Sequence, residues 1–328
     1  MCPSASDNRR RLGNSDLWVS PIALGTWPMA GVTSLDVNES DSVATLRSCI
    51  DLGINFVDTA YCYGPQGESE NLIRQALSEC RDEIILATKC GIHYNSHGSQ
   101  TQDAHPDTIR QECDRSLERM GTDRIELYYL HSPDPQVPIE ESAGAISELI
   151  TKGKVRYAGA SNCHLGQLQV FHRACPLTAV QLPYNMLQRD IEQKSIPWCQ
   201  QQNISLIVYW ALMKGLLAGR MSADKPLAPL DARAKYPMYQ GEEWQRNLQF
   251  VDQLQEIADS SGHTVAQLVA NWTIHQPGIT VALCGAKRPW QIKETARAMN
   301  WQLTPTQKSE IDKALASRGK AQGSRGFS

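Results

Sequence analysis

The stretch "INFVDTAYCYGPQGESENLIRQAL", residues 54–77, contains three kinds of chain in succession. Ile54-Asn55-Phe56-Val57 is a short β-prone apolar run. The segment that follows is punctuated by Gly64, Pro65 and Gly67, residues that mark loops. Leu72, Ile73, Ala76 and Leu77 then recur at helical spacing, with Cys80 one turn further on. Strand, loop and amphipathic helix form a unit, and the fold depends on how often that unit repeats.

It repeats along the whole chain. Further short apolar runs occur at Pro21–Leu24, Ile84–Thr88, Glu126–Leu130, Val155–Ala160, Ala179–Leu182, Ser205–Tyr209 and Ile279–Leu283. Their brevity and lack of polar alternation suit strands buried on both faces. Helical stripes lie between them: Val43, Leu46 and Ile50; Ile109, Cys113, Leu117 and Met120; Ile139, Ala143, Ile146 and Ile150. Gly153 stands where a left-handed cap stops the last of these. Eight strands alternating with helices in 328 residues predict an α/β fold of the closed (β/α)8 TIM-barrel type. An open doubly wound sheet that binds a dinucleotide would carry G-x-G-x-x-G between an early strand and helix. No such run exists in this chain.

The whole chain, 1–328, reads as one domain, with flexible tails expected at 1–8 and 318–328. "RRLGNSDLWVS" reads as an N-terminal hairpin turning at Gly13-Asn14 and closing the barrel floor. "GIHYNSHGSQTQDAHP" and the proline-bearing segment Ala223–Gln245 read as long loops on the C-terminal face.

Composition narrows the class of function. A net charge of −3 gives no electrostatic reason to expect nucleic acid or an anionic membrane surface. The ten cysteines include no C-x-x-C pair, so neither a zinc site nor a disulfide framework is indicated. The polar, basic N-terminus lacks the apolar core of a secretory signal, and "ISLIVYWALM" is too short to span a bilayer. Free thiols and these absences make the cytoplasm the expected location.

In a (β/α)8 barrel the active site lies at the C-terminal ends of the strands. Asp58 ends the second predicted strand, with Tyr63 in the loop after it; Lys89 ends the third and His131 the fourth. Taken singly, each is ordinary: a cap, a solvated cation, a structural histidine, a packed phenol. Three consecutive strands delivering all four to one rim point to proton donation to a carbonyl. A free phenol, with a pKa of roughly 10, is a weak acid at neutral pH; an ammonium beside it would lower that value. Lys89 supplies the ammonium, Asp58 would aim it, and His131 would hydrogen-bond the substrate oxygen.

"DTAYCYG", "ATKCG" and "LHSPD" resemble the aldo-keto reductases, NADPH-dependent barrel oxidoreductases with an Asp/Tyr/Lys/His tetrad. The resemblance runs from about Leu12 to Leu315. It implies Tyr63 as the proton donor, NADPH/NADP+ as cofactor, and a small-molecule carbonyl or alcohol as substrate. It further implies that Ser161, Asn162 and Gln181 hold the nicotinamide carboxamide while Tyr209 stacks on its ring. Thr26, Trp27, Asp58, Trp210, Ala211, Leu212, Lys214, Gly215 and Gly285 belong to the implied cofactor surface. Gln291, Glu294 and Thr295 fall at the implied adenosine site. Two positions depart from the family pattern: Trp210-Ala211 stands where Ser-Pro is common, and Thr295 where an asparagine is expected.

"CGAKRPWQIKE" follows the eighth strand and opens a helix, with Pro289 suited to its first turn. Lys287 and Arg288 beside that helix start would make a compact anion site or be two solvated charges in a turn; the resemblance matches this stretch to the site for the 2′-phosphate of NADPH. Two other readings fit parts of this pattern. A lysine ending a barrel strand can serve a Schiff-base aldolase, although a paired Asp58 opposes that. The resemblance also admits a cofactor-binding, redox-sensing regulatory subunit with little turnover.

Overall fold

The computed structural model describes residues 8–34, 36–224, 227–228 and 231–322. Eight parallel strands close into a barrel: β1 (Ile22–Gly25), β2 (Phe56–Asp58), β3 (Ile85–Cys90), β4 (Ile125–Leu130), β5 (Val155–Ser161), β6 (Leu177–Pro183), β7 (Ser205–Tyr209) and β8 (Ile279–Gly285). Each lies on one of the eight apolar runs. The ring closes where Ala282 of β8 pairs with Ile22 of β1.

Helices return the chain from one strand to the next, and the last two follow the eighth strand. They are α1 (Glu39–Asp51), α2 (Glu68–Leu77), α3 (Pro106–Met120), α4 (Ile139–Thr151), α5 (Leu165–Ala174), α6 (Ser195–Gln201), α7 (Gly241–Asp259), α8 (Val265–Ile274), α9 (Pro289–Ala296) and α10 (Pro305–Arg318). Their starts follow from sequence. The hydroxyls of Thr264 and Thr304 accept N–H groups of Gln267 and Gln307, whose side chains reach back in return. The stripes foreseen for α2, α3 and α4 face the strands, and Ile73, Ile109, Cys113 and Ile146 are buried there.

A second apolar cluster fills the barrel itself, with Phe56, Ala87, Leu127, Tyr129, Ala179, Ile207 and Val281 among its members. Tyr129 fits because residue 159, on the adjoining strand, is glycine. A Cβ there would lie 2.4 Å from the Tyr129 ring. The strands Arg10–Arg11 and Trp18–Val19 form the N-terminal hairpin. Its Leu12, Leu17 and Val19 join the interior cluster, so the hairpin plugs the floor.

The segment after β3 is more ordered than its polar sequence implied. Ile92–Tyr94 pairs with Gln100–Gln102 as an antiparallel hairpin. The Asn95 side chain accepts N–H groups of His97 and Ser99, so the turn is built by one residue's amide. The C-terminal tail also starts later than expected. Arg318 is the buried last residue of α10, its guanidinium paired with Glu243 and donating to Asn247 Oδ1 at 2.7 Å. Asn8, placed in the N-terminal tail by sequence, donates through its amide to Met299 O at 2.9 Å. Gln322 N–H donates to Glu243 Oε1 at 2.9 Å, while residues 1–7 and 323–328 of the two expected tails lie outside the described residues. No described helix is long and apolar enough to cross a membrane.

Candidate active site

Asp58 is the last residue of β2, Lys89 lies one short of the end of β3, and His131 follows the last residue of β4. The barrel register sets Asp58 opposite Ala87 and Lys89 opposite Tyr129. Lys89 therefore stands one rung further toward the C-terminal rim than Asp58 and reaches back over it. Its Nζ lies 2.5 Å from Asp58 Oδ1, 2.6 Å from Thr59 O and 3.3 Å from Tyr63 Oη. Three acceptors match the three N–H donors of an ammonium, so no lone pair is left for nucleophilic attack. This geometry opposes the aldolase reading.

Asp58 is gripped from two sides. Its second oxygen accepts from Gln181 Nε2 at 2.8 Å, across the barrel from Lys89. Both Asp58 and Lys89 are 1% exposed. Burial pushes the Asp58 carboxyl up, against the pull of Lys89 and of the Gln181 amide. Beneath it Thr26 donates to Asp58 O through both N–H and Oγ1, each at 3.0 Å, and Ser69 Oγ donates to Thr26 Oγ1. Thr26 is fully buried and braces the main-chain carbonyl of Asp58.

Tyr63 projects from the loop between β2 and α2. The chain turns immediately after it at Gly64, whose φ of 96° excludes a side chain; a Cβ there would also strike the Glu68 carboxylate. The phenol ring meets the edge of Trp27 at 5.0 Å and of His131 at 5.9 Å between centroids. Burial first, then Asp58, then Cys62, holds the phenol well above its ordinary range. The expectation that Lys89 would lower this pKa is therefore overturned. Asp58, which lies 2.5 Å from the same ammonium, acts on the phenol in the same direction as burial, and the two outweigh the Lys89 hydrogen bond. Lys89 donates to the phenol oxygen, which leaves the phenol's own O–H to point away from the ion pair. Tyr63 is neutral at physiological pH.

His131 is half-buried. Its N–H donates to Cys90 O at 2.9 Å and its carbonyl accepts from Asn162 Nδ2 at 2.8 Å. Its Nδ1 lies 3.5 Å from Cys62 Sγ.

The residues implied for the nicotinamide gather on the opposite arc. Asn162, at φ 56°, turns its amide toward β7, where Tyr209 Oη donates to Asn162 Oδ1 at 2.7 Å. Ser161 Oγ donates to Gln181 O at 3.0 Å. Asn162 Oδ1 and Ser161 Oγ each keep accepting capacity, which suits the NH₂ of a carboxamide. The half-buried Tyr209 ring sits at the end of β7 beside them. These residues fit a nicotinamide.

The loop after β7 departs from ordinary backbone. Trp210, Met213 and Lys214 all have positive φ, at 61°, 44° and 56°. Lys214 Nζ lies 4.3 Å from the Trp210 ring and 4.6 Å from that of Tyr236. Tyr239 Oη donates to the carbonyls of Met213 and Lys214, and Arg233 Nη1 to that of Lys214. Ala211 is buried, whereas Leu212 and Gly215 are partly exposed.

At the start of α9, Pro289 occupies the first turn as expected. Gln291 Oε1 accepts the N–H groups of Lys287 and Arg288 at 2.8 and 3.1 Å. The Arg288 guanidinium pairs with Asp41 of α1 and donates to Asp36 O, so it is committed to holding α1 against α9. Lys287 is part-buried, and its pKa is lowered by burial first, with Arg288 and Arg233 acting in the same direction. Glu294 is paired with Arg220 at 2.9 Å, and Arg220 lies 4.4 Å from the Trp290 ring. Thr295 is buried, with its hydroxyl 3.3 Å from the carbonyls of Gln291 and Ile292 in its own helix. Gly285 ends β8, where a Cβ would lie 2.9 Å from Pro28.

Sequence reading missed Cys62, Thr59 O, Ser69, Asp41 and Arg220. Cys62 adjoins Tyr63, but a lone cysteine in a loop carries no signal of its own. The others act through contacts between residues distant in the chain. Among the described residues no group of three or more His, Cys, Asp or Glu side chains is arranged to hold a metal ion.

Comparison with known proteins shows what the chain is similar to. The profile of the Aldo/keto reductase family matches residues 21–316. The chain is 34% identical over 307 residues to Aldo-keto reductase YhdN of Bacillus subtilis (strain 168), covering 93% of this chain and 92% of that protein. The solved glycerol dehydrogenase AKR11B4 from Gluconobacter oxydans superposes with a TM-score of 0.88 at 31% identity, covering 99% of each chain. The holo form of aldo-keto reductase AKR11C1 from Bacillus halodurans gives a TM-score of 0.77 at 26% identity, covering 94% of this chain and 96% of that one.

Proposed function

Because the chain belongs to the aldo/keto reductase family, we propose that it is an NADPH-dependent oxidoreductase reducing aldehydes or ketones to alcohols, or running the reverse, with Tyr63 as the proton donor. The observation that carries this reading is Lys89, with one donor on Asp58 and another on Tyr63 Oη at the open rim of the barrel. Membership makes the protein an oxidoreductase; the roles below are our reading of its residues.

A bound nicotinamide supplies the hydride in reduction and accepts it in oxidation. The protein's part is to hold a carbonyl oxygen where a proton can reach it. Tyr63 donates that proton as negative charge develops on the oxygen. Lys89 stabilises the phenolate left behind, and Asp58, fixed by Gln181, keeps Lys89 aimed. His131 gives the same oxygen a second hydrogen bond. Burial keeps the phenol neutral and so still holding its proton, and the Lys89 hydrogen bond favours the phenolate as that proton leaves. Burial of the Asp58–Lys89 pair keeps water from screening it.

For the cofactor, Ser161 and Asn162 would hold the carboxamide and Tyr209 the ring face. Lys287 and the start of α9 would hold the 2′-phosphate of NADPH. Arg288 would contribute mainly by fixing α1 and α9 around that site.

The test is consumption of NADPH and of NADH against a panel of aldehydes, ketones and sugars, with the reverse reaction run on alcohols. One solved relative is a glycerol dehydrogenase, so the panel includes glycerol and glyceraldehyde. Turnover that vanishes in Tyr63→Phe supports the reading. Tight NADPH binding with negligible turnover across the whole panel would replace it with the regulatory one.

A further inference from the structure

We propose that a polar cleft at the floor of the barrel binds a small oxyanion, the phosphate or carboxylate group of a polar small molecule. The cleft measures about 560 Å³ and lies where the Arg10–Arg11 strand of the hairpin meets the starts of β7 and β8 and the ends of α6 and α8. Arg10, Gln200, His275 and Thr280 are among its walls. None of these residues belongs to the rim that holds Asp58, Tyr63, Lys89 and His131, so the site is independent of the reductase reading.

Arg10 carries the site. It is half-buried, and its guanidinium bonds only through Nη1, which donates to Ile279 O and Thr280 O at 3.1 and 3.0 Å. Nε and Nη2 make no hydrogen bond among the described residues, yet neither is sealed from solvent. Three N–H donors of one planar fork are therefore left for an oxyanion, the group that such a fork fits best. A charge withdrawn from water is ordinarily paired, but no carboxylate pairs with Arg10 among the described residues. Burial lowers the pKa of its guanidinium, with no acidic group acting against it.

His275 adds a second donor. Its Nδ1 lies 2.8 Å from Asn271 O; a carbonyl only accepts, so Nδ1 holds the ring proton and Nε2 gains one when the imidazole becomes charged. Burial lowers the pKa of His275, the Asn271 hydrogen bond opposes it, and Arg10 from the hairpin and Lys308 from α10 add to the lowering. Both charged groups that act on the ring are cations. An oxyanion between Arg10 and His275 relieves that repulsion and favours the charged ring. The Gln200 amide and the Thr280 hydroxyl make no hydrogen bond among the described residues and supply uncharged partners. Gly278, at φ 81°, lets Gln200 close over this edge, since a Cβ there would lie 3.2 Å from Gln200 Cδ. One water takes about 30 Å³, so the cleft has room for a hydroxylated body behind the anionic head.

NMR of the full-length protein with ¹⁵N-labelled histidine reads the site directly, the His275 signals being assigned by their loss in His275→Gln. Inorganic phosphate and sodium acetate are titrated at fixed pH, each against sodium chloride at matched ionic strength. Phosphate or acetate should move the His275 ring saturably toward its doubly protonated form, and chloride should not; the tighter of the two names the anionic group. Arg10→Gln should weaken binding by roughly tenfold or more, as expected for a lost charge-assisted hydrogen bond. Gln200→Ala should weaken it by less, about two- to tenfold. Equal shifts in chloride, or no saturable shift with either anion, would make the cleft plain solvated surface and overturn the proposal. Unchanged affinity in Arg10→Gln would show that the guanidinium only braces β8, and overturns it equally. The contrast between oxyanion and chloride in the unmodified protein decides the matter even if Arg10→Gln fails to fold.

Discussion

Lys89 Nζ sits 3.3 Å from Tyr63 Oη while the same nitrogen lies 2.5 Å from Asp58 Oδ1. The lysine thus joins a buried carboxylate to a phenol that faces the open end of the barrel. Stability and chemistry meet at this one side chain, and removing it should disturb both.

Lys89→Met should destabilise the fold by about 3–5 kcal/mol, the usual cost of leaving one member of a buried ion pair unpartnered. Asp58 already titrates above its ordinary value because of burial, and losing Lys89 raises it further. A carboxyl whose folded pKa exceeds its unfolded one favours the fold below the unfolded value, and that contribution is lost as pH rises through the folded value. The deficit in the variant should therefore grow with pH, and Asp58→Asn in the same chain should remove that growth. Denaturant unfolding of both variants at several pH values checks the outcome.

A second pH dependence lies away from the tetrad. Glu112 of α3 accepts from Gly91 N–H at 2.6 Å and faces His93 Nδ1 at 3.2 Å, anchoring the hairpin that follows β3. Burial raises its carboxyl to about 8, against the opposing Gly91 hydrogen bond. The folded protein then holds a proton that the unfolded chain releases near 4.5. Stability should fall as pH rises between those values, by at most roughly 1.4 kcal/mol per pH unit. Glu112→Gln should flatten this part of the profile of Tm against pH. An unchanged slope in the variant would assign it to other groups.

Cofactor preference should rest on Lys287 more than on Arg288. A charge-assisted hydrogen bond contributes about 1.5–3 kcal/mol, roughly ten- to a hundredfold in affinity. NADPH should accordingly bind at least tenfold tighter than NADH, and Lys287→Ala with Arg288→Ala should erase most of the gap. Arg288→Ala alone should chiefly lower Tm, because its guanidinium links α9 to Asp41 on α1. Titration by tryptophan fluorescence quenching, beside thermal unfolding, separates the two effects.

The barrel was legible because its strands are buried on both faces and so appear as bare apolar runs. Ile54–Val57 and Val155–Ala160 needed no partner to be recognised. Asp58, Lys89 and His131 were legible for a related reason, since each is polar where such a run ends. The Ile92–Tyr94 hairpin was not, because its strands are short and polar and its turn is set by the Asn95 amide. Arg318 looked like tail because its partner Glu243 is far away in the chain. The phenol's acidity was misjudged because sequence places an ammonium near it but cannot weigh burial, or the carboxylate that acts with burial. The ion pairs of Arg288 with Asp41 and of Glu294 with Arg220 were likewise invisible, because each partner lies far away in the chain.

The most direct test of the central claim is the single-turnover rate of hydride transfer in Tyr63→Phe, with NADPH bound and the best carbonyl of the panel. General acid catalysis is worth roughly 10²–10⁴-fold. The rate should fall by at least a hundredfold, with NADPH affinity nearly unchanged because the phenol oxygen serves Lys89 and the substrate rather than the cofactor. A fall of less than tenfold would show that the proton comes from another group and that Tyr63 only packs against Trp27.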